Sequence, residues 1–158
     1  MEIYVDMDGV LADFRRQFKK VVGQDVDEFT SKYGDGDEFW DAVSVGGSKF
    51  WTEMPWIKDG KQLWQYVEKY NPTILSSPSR QSFCIGAKKV WLGREISQKV
   101  AKNAIFAKSK FKKNYSGKDK ILIDDLKKNI DAWESMGGMG ILHTSTNSTI
   151  KKLKKYLK

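Results

Sequence analysis

Two periodicities divide the chain. Short apolar runs recur at Ile3-Tyr4-Val5, Thr73-Ile74-Leu75, Asn103-Ala104-Ile105-Phe106, Lys120-Ile121-Leu122-Ile123 and Met139 to Leu142. Their brevity and content suit buried strands. Between them, apolar residues return at helical spacing. The stripes are Leu11/Phe14/Phe18/Val21, Leu63/Val67/Tyr70, Phe83/Ala87/Trp91, Leu126/Ile130/Trp133 and Ile150/Leu153/Leu157. Asp59 is placed to cap the second of these helices, and Asn71-Pro72 stops it. Gly93 reads as lying past the end of the third, and Gly137-Gly138 ends the fourth. Lys108, Lys110, Lys112 and Lys113 fall in what reads as a basic loop. Strands alternating with helices predict one α/β domain over residues 1–158, a Rossmann-like parallel sheet with helices on both faces.

Residues 24–57 break that alternation. They are acidic, punctuated by glycine, and rich in rings: Phe29, Tyr33, Phe39, Trp40, Phe50, Trp51 and Trp56. A structureless connection of this length is foreign to a compact domain. A small helical cap, inserted after the first strand at about 20–57, accounts for it. Its rings serve either as a wall for a nucleobase or as the cap's own core. Most read as core, with two or three left to face a ligand.

Charge sharpens the picture. The net charge is +8, yet residues 1–60 hold 7 basic and 13 acidic side chains, and residues 61–158 hold 21 basic and 7 acidic. A basic body suits a phosphorylated small molecule and ranks nucleic acid second. The lysine-rich last helix lacks the large apolar face of a membrane-surface helix, so no membrane partner is expected. No long apolar span or secretory signal appears, and a cytoplasmic protein is the expectation. Cys84 is the single cysteine, so no intrachain disulfide forms. His143 is the single histidine, which disfavours histidine-based metal sites and histidine phosphatases.

Three apolar runs end in polar pairs: Asp6/Asp8, Ser76/Ser77 and Asp124/Asp125. Parallel strands gather such ends on one edge, where open α/β sheets take their ligands. Asp8-Gly9 alone reads as a turn, but a turn does not explain Asp6. An acidic cluster repels a phosphate unless a cation lies between them. Oxygen ligands alone suit Mg²⁺. Lys88 and Arg80 are available as donors to phosphoryl oxygens, with Ser76 adding a hydroxyl.

The stretch Asp6-Met7-Asp8-Gly9-Val10-Leu11-Ala12-Asp13 resembles the first motif of the haloacid dehalogenase (HAD) superfamily. Carried into Phe14, it resembles the 5'-(3')-deoxyribonucleotidase family of phage and bacterial type. The resemblance implies that Asp6 is the nucleophile forming an aspartyl-phosphate. Asp8 would protonate the leaving oxygen, activate water afterwards, and bind metal through its backbone carbonyl. Ser76 would match the hydroxyl motif, with Ser77-Pro78 continuing it, although threonine is common at that first position. Lys88 would be the phosphate-binding lysine, with Lys89 as the near alternative. Asp124 and Asp125 would match the acidic metal motif, Lys110 another basic substrate contact. Phe14, Phe50 and Trp51 would match positions lining a base pocket, and Trp40 fits more loosely.

The activity implied is Mg²⁺-dependent hydrolysis of (deoxy)ribonucleoside monophosphates to nucleoside and phosphate. Two alternatives stand beside it: a phosphatase for polynucleotide ends, and a non-catalytic nucleotide or phosphate binder.

Overall fold

The computed structural model describes residues 1–157. Five strands form the sheet: β1 (Glu2–Val5), β2 (Thr73–Ser76), β3 (Ile105–Phe106), β4 (Lys120–Asp124) and β5 (Met139–Leu142). All pairings are parallel, in the order β3-β2-β1-β4-β5. The expected Rossmann-like α/β fold is therefore present. β1 is central, with Val5 opposite Ile74 on one side and Ile123 on the other. The chain order reverses direction between β1 and β4, which makes their junction the switch point where such sheets bind ligands.

The chain divides into two compact units. One comprises Met1–Ala12, Trp56–Ser77 and Asn103–Lys158; the other comprises Asp13–Pro55 and Pro78–Lys102.

The first unit holds the sheet, with α5 (Gly60–Val67), α8 (Ser109–Lys112), α9 (Lys127–Ser135) and α10 (Thr146–Tyr156). The two-residue period of a strand sorts its core into two faces. Tyr4, Leu75 and Leu122 pack with Ile130 and Trp133 of α9. Ile3, Val5, Ile121, Ile123 and Ile141 alternate with them and are buried toward the other face. There α10 packs on both α5 and β5. Ser145 caps α10 by accepting a hydrogen bond from the Ser148 amide at 3.2 Å.

The second unit is helical: α1 (Phe14–Val22), α2 (Val26–Tyr33), α3 (Asp37–Ser44), α4 (Gly47–Thr52), α6 (Cys84–Glu95) and α7 (Gln98–Asn103), whose last residue crosses into the first unit. Its core is a ring cluster. Phe18 and Phe39 stack at 4.9 Å between centroids, and Phe14 meets Phe39, Phe50 and Trp51 within 6.1 Å. Such pairs add about 0.5–1.5 kcal/mol each beyond their burial. Trp91 of α6 donates its indole N–H to the Met54 carbonyl at 2.7 Å, while Gln17 donates to the Phe50 carbonyl at 2.9 Å.

These boundaries differ from the expected cap of about 20–57 within a single domain. The helical unit starts earlier, because the Phe14/Phe18 stripe of α1 packs on the cap's rings. It also gains a second segment after β2, because α6 packs on α4. Gly93 lies inside α6, where the Gln98 side chain covers it, rather than past its end. The expected basic loop contains α8 and a 3₁₀ turn over Lys113–Tyr115. Cys84 is buried and unpaired. No helix among the described residues is long and apolar enough to cross a membrane.

Candidate active site

The apolar strands set the site by where they stop. Asp6 follows β1, and its amide still bonds across to the Ile123 carbonyl at 2.9 Å. Asp124 closes β4 opposite Leu142, and its carbonyl accepts from the His143 amide at 2.8 Å. Ser76 closes β2 and is fully buried. The sequence thus brings Asp6, Ser76 and Asp124 to the carboxyl edge of three adjacent strands.

After Asp6 the chain folds into a tight turn. The amides of Leu11 and Ala12 both donate to the Met7 carbonyl at 2.9 Å, and the Gly9 amide donates to Ala12. Asp8 lies within this turn and is half-buried. Gly9 has φ +83°, and a Cβ built there would lie 2.1 Å from Oδ2 of Asp125. Glycine is required both by the left-handed backbone and by the carboxyl lodged against it.

Carboxylate oxygens of Asp6, Asp124 and Asp125 lie within 4.8 Å of one another. Lys112 stands among them, buried, with Nζ 3.0 Å from Asp6 Oδ1 and 2.9 Å from Asp124 Oδ2. Asp6 Oδ1 also accepts from the Met7 amide at 2.9 Å. Asp124 is firmly oriented: Oδ2 accepts from Lys112 and from Asn129 at 3.1 Å, and Oδ1 accepts from the Leu126 amide at 2.9 Å. Asp125 is the exposed member of the triad.

Three carboxylates facing one ammonium leave two formal negative charges. A divalent cation would balance them, and an all-oxygen donor set fits Mg²⁺. Without a cation the cluster shifts its protons. Burial pushes Asp6 well above the usual carboxylate range; Lys112 pulls it down, while Asp124, Asp125 and Asp8 push it further up. Burial, then Asp124, raises Asp125 to about 6 against the pull of a hydrogen bond with Asp6. Burial opposes charge on Lys112, but Asp6 and Asp124 outweigh it and raise its pKa. Nearby, burial lowers the pKa of His143, whose Nδ1 lies 2.7 Å from Thr149 Oγ1.

The first unit therefore holds Asp6, Asp8, Ser76, Ser77, Lys110, Asp124 and Asp125. Lys110 is exposed on α8, its ammonium 5.0 Å from the centre of the Phe111 ring. The second unit holds Phe14, Trp40, Phe50, Trp51, Arg80 and Lys88. Phe50 and Trp51 are buried in its ring cluster, while Phe14 and Trp40 are half-buried. Arg80 pairs with Asp37. Lys88 is buried in α6, with Nζ 4.9 Å from the centre of the Trp51 ring.

Sequence reasoning missed Lys112 as a member of the cluster. Four lysines in the six residues from Lys108 to Lys113 look interchangeable in sequence. Only the single turn of α8 decides which one faces inward. Asn129 was also missed; it lies five residues beyond Asp124, in the first turn of α9, where the spacing offers a weak signal.

The parallel sheet and its strand-end carboxylates define a Rossmann-like α/β protein. No protein-family model matches the chain, and no curated protein matches it. Among solved structures, a hydrolase from Streptococcus pneumoniae TIGR4 superposes with a TM-score of 0.59 at 12% identity, covering 97% of each chain. A predicted phosphatase from Clostridium acetobutylicum gives 0.60 at 14% identity, covering 98% of each. A HAD family hydrolase from Deinococcus radiodurans R1, with bound phosphate and sodium, gives 0.50 at 13%, covering 98% of this chain and 95% of that one. The fold is thus that of HAD-superfamily hydrolases and phosphatases.

Proposed function

We propose that the chain is a Mg²⁺-dependent phosphatase that hydrolyses nucleoside monophosphates through an aspartyl-phosphate on Asp6. One observation carries the reading. Asp6 directly follows the central strand, has one oxygen tied by Met7 and Lys112, and sits within a carboxylate triad suited to a divalent cation.

Asp6 attacks phosphorus, forming a Oδ–P bond as the P–O bond to the nucleoside breaks. Asp8 gives its proton to the departing oxygen, then takes one from the water that displaces Asp6 from phosphorus. Lys112 pulls Asp6 toward its ionised form, against its burial, and orients it. Ser76 and Lys110 are the donors offered to phosphoryl oxygens. Asp6, Asp124 and Asp125, with the Asp8 carbonyl, would hold Mg²⁺; Asp124 Oδ1 accepts only the Leu126 amide and keeps a lone pair for it. When bound, the ion offsets the charge that develops on the transferring phosphoryl group.

The choice of a nucleoside ester rests on the motif's extension through Phe14 and on the rings of residues 13–55. Phe50 and Trp51 are buried in the ring cluster of the helical unit, and Phe14 and Trp40 are its half-buried members. A phosphate-release screen over nucleoside monophosphates and sugar phosphates, with and without Mg²⁺, tests the reading. Preference for nucleotides, lost in EDTA, supports it; preference for sugar phosphates overturns the substrate class.

A further inference from the structure

The rim of the carboxylate cluster carries more positive charge than one phosphate monoester needs. α8 packs on α9. The first is anchored to the cluster by Lys112, and the second starts two residues after Asp125. Around these anchors Lys108, Lys110, Lys113, Lys127 and Lys128 are exposed. Asp131 pairs with Lys127 at 2.7 Å. The other four pair with no carboxylate among the described residues. The Phe111 ring is 46% exposed, with Lys110 Nζ 5.0 Å from its centre.

Scattered surface lysines are ordinary, but these stand on two touching elements that both lead into the cluster. Cations spaced around an exposed ring match a ligand that alternates phosphates with flat bases. An acidic peptide would use the cations and leave the ring idle.

We infer that the α8–α9 rim is a docking track for single-stranded nucleic acid whose terminal phosphate enters the carboxylate cluster. Lys108, Lys113 and Lys128 take neighbouring backbone phosphates, Lys110 takes the terminal one, and Phe111 stacks on a base. The turnover it serves rests on the phosphatase reading above: Asp6 bonds to the terminal phosphorus, the ester P–O bond breaks, and Asp8 protonates the strand's oxygen. Water then releases phosphate from Asp6, leaving a strand that ends in a hydroxyl. The binding itself is separable from that chemistry.

The test uses the full chain, a fluorescent ten-nucleotide single-stranded DNA carrying a terminal phosphate, and the matching mononucleotide. Anisotropy is followed against salt, and phosphate release is measured on both substrates. The oligonucleotide should bind at least tenfold tighter than the mononucleotide. Its log affinity should fall with log salt with a slope of about −3, at about 0.7 per phosphate contacted. The double variant Lys113→Gln/Lys128→Gln should flatten that slope by about 1.4. It should also weaken oligonucleotide binding at least fivefold more than mononucleotide binding. Equal binding of the two ligands, or an unchanged slope in the variant, overturns the proposal. So does equally lysine-dependent binding to vesicles containing phosphatidylserine. Strand binding with no phosphate release from any ester sinks the phosphatase reading and leaves the track. Mononucleotide hydrolysis without strand binding does the reverse.

Discussion

The ammonium of Lys112 lies 3.0 Å from Oδ1 of Asp6, and both side chains are almost wholly removed from solvent. The same nitrogen reaches Asp124 at 2.9 Å, so one cation holds together the ends of two neighbouring strands. Lys112→Met keeps much of the stem and deletes the charge. Two buried carboxylates then lose their shared partner, a loss of about 3–5 kcal/mol for a broken buried pair. Urea denaturation should show that drop, and millimolar Mg²⁺ should recover part of it. A variant as stable as the parent would mean that the cluster is not held by this ion pair.

Gly9 and Asp125 touch in a way that separates backbone strain from site geometry. Gly9→Ala pays for a left-handed residue, about 1–2 kcal/mol, and drives the Asp125 carboxyl out of its place. Gly23 offers the comparison: φ is +87°, and no atom lies within 4 Å of a Cβ built there. Gly23→Ala should lose the strain energy alone and retain activity. Gly9→Ala should lose similar stability or more, together with at least tenfold in apparent Mg²⁺ affinity. Thermal denaturation and Mg²⁺ titration of turnover measure the two effects.

The parts legible in the sequence were those fixed by local pattern. An apolar run that stops at a carboxylate announces both a strand and the edge where its end will lie, hence Asp6, Ser76 and Asp124. The helical unit was half legible. Its first segment broke the strand–helix alternation, but Pro78–Lys102 obeyed it and looked like an ordinary crossover. Nothing in the α6 stripe says that Trp91 packs toward Met54 rather than toward a sheet. Lys112 was illegible for a different reason: burial of a lysine depends on two aspartates brought from distant strands. Lys88 was singled out by its resemblance to a phosphate-binding lysine; it is buried in α6, with Nζ 4.9 Å from the centre of the Trp51 ring.

Asp6 and Asp8 divide the chemistry, and substitution should divide the kinetics. Asp6→Asn removes the nucleophile and should bring turnover below detection while nucleotide binding survives. Asp8→Asn removes the proton donor and should slow turnover by about 10²–10⁴-fold. With a substrate whose leaving group needs no proton, such as a nitrophenyl phosphate, Asp8→Asn should recover the first step and accumulate phospho-enzyme. Rapid-quench labelling reads that directly. Full activity in Asp6→Asn removes the covalent route.

Asp125 ties the cluster to pH. Its pKa is raised from 3.8 to about 6, so between those values the folded chain binds more protons than the unfolded one. The slope of unfolding free energy with pH from this group is therefore negative. Its stabilising contribution is complete below about 4 and is lost as pH rises through 6. Other carboxylates titrate in the same range, so the comparison that isolates it is with Asp125→Asn. Without Mg²⁺, the parent should lose stability relative to that variant on going from pH 4 to pH 7. With Mg²⁺ the sign should turn, because the ion competes with the proton and binds best once Asp125 is ionised. Melting temperatures of the two proteins at pH 4, 5, 6 and 7, each with and without Mg²⁺, test both halves. A parent–variant difference that does not move with pH would show that Asp125 neither carries the shifted proton nor meets the ion.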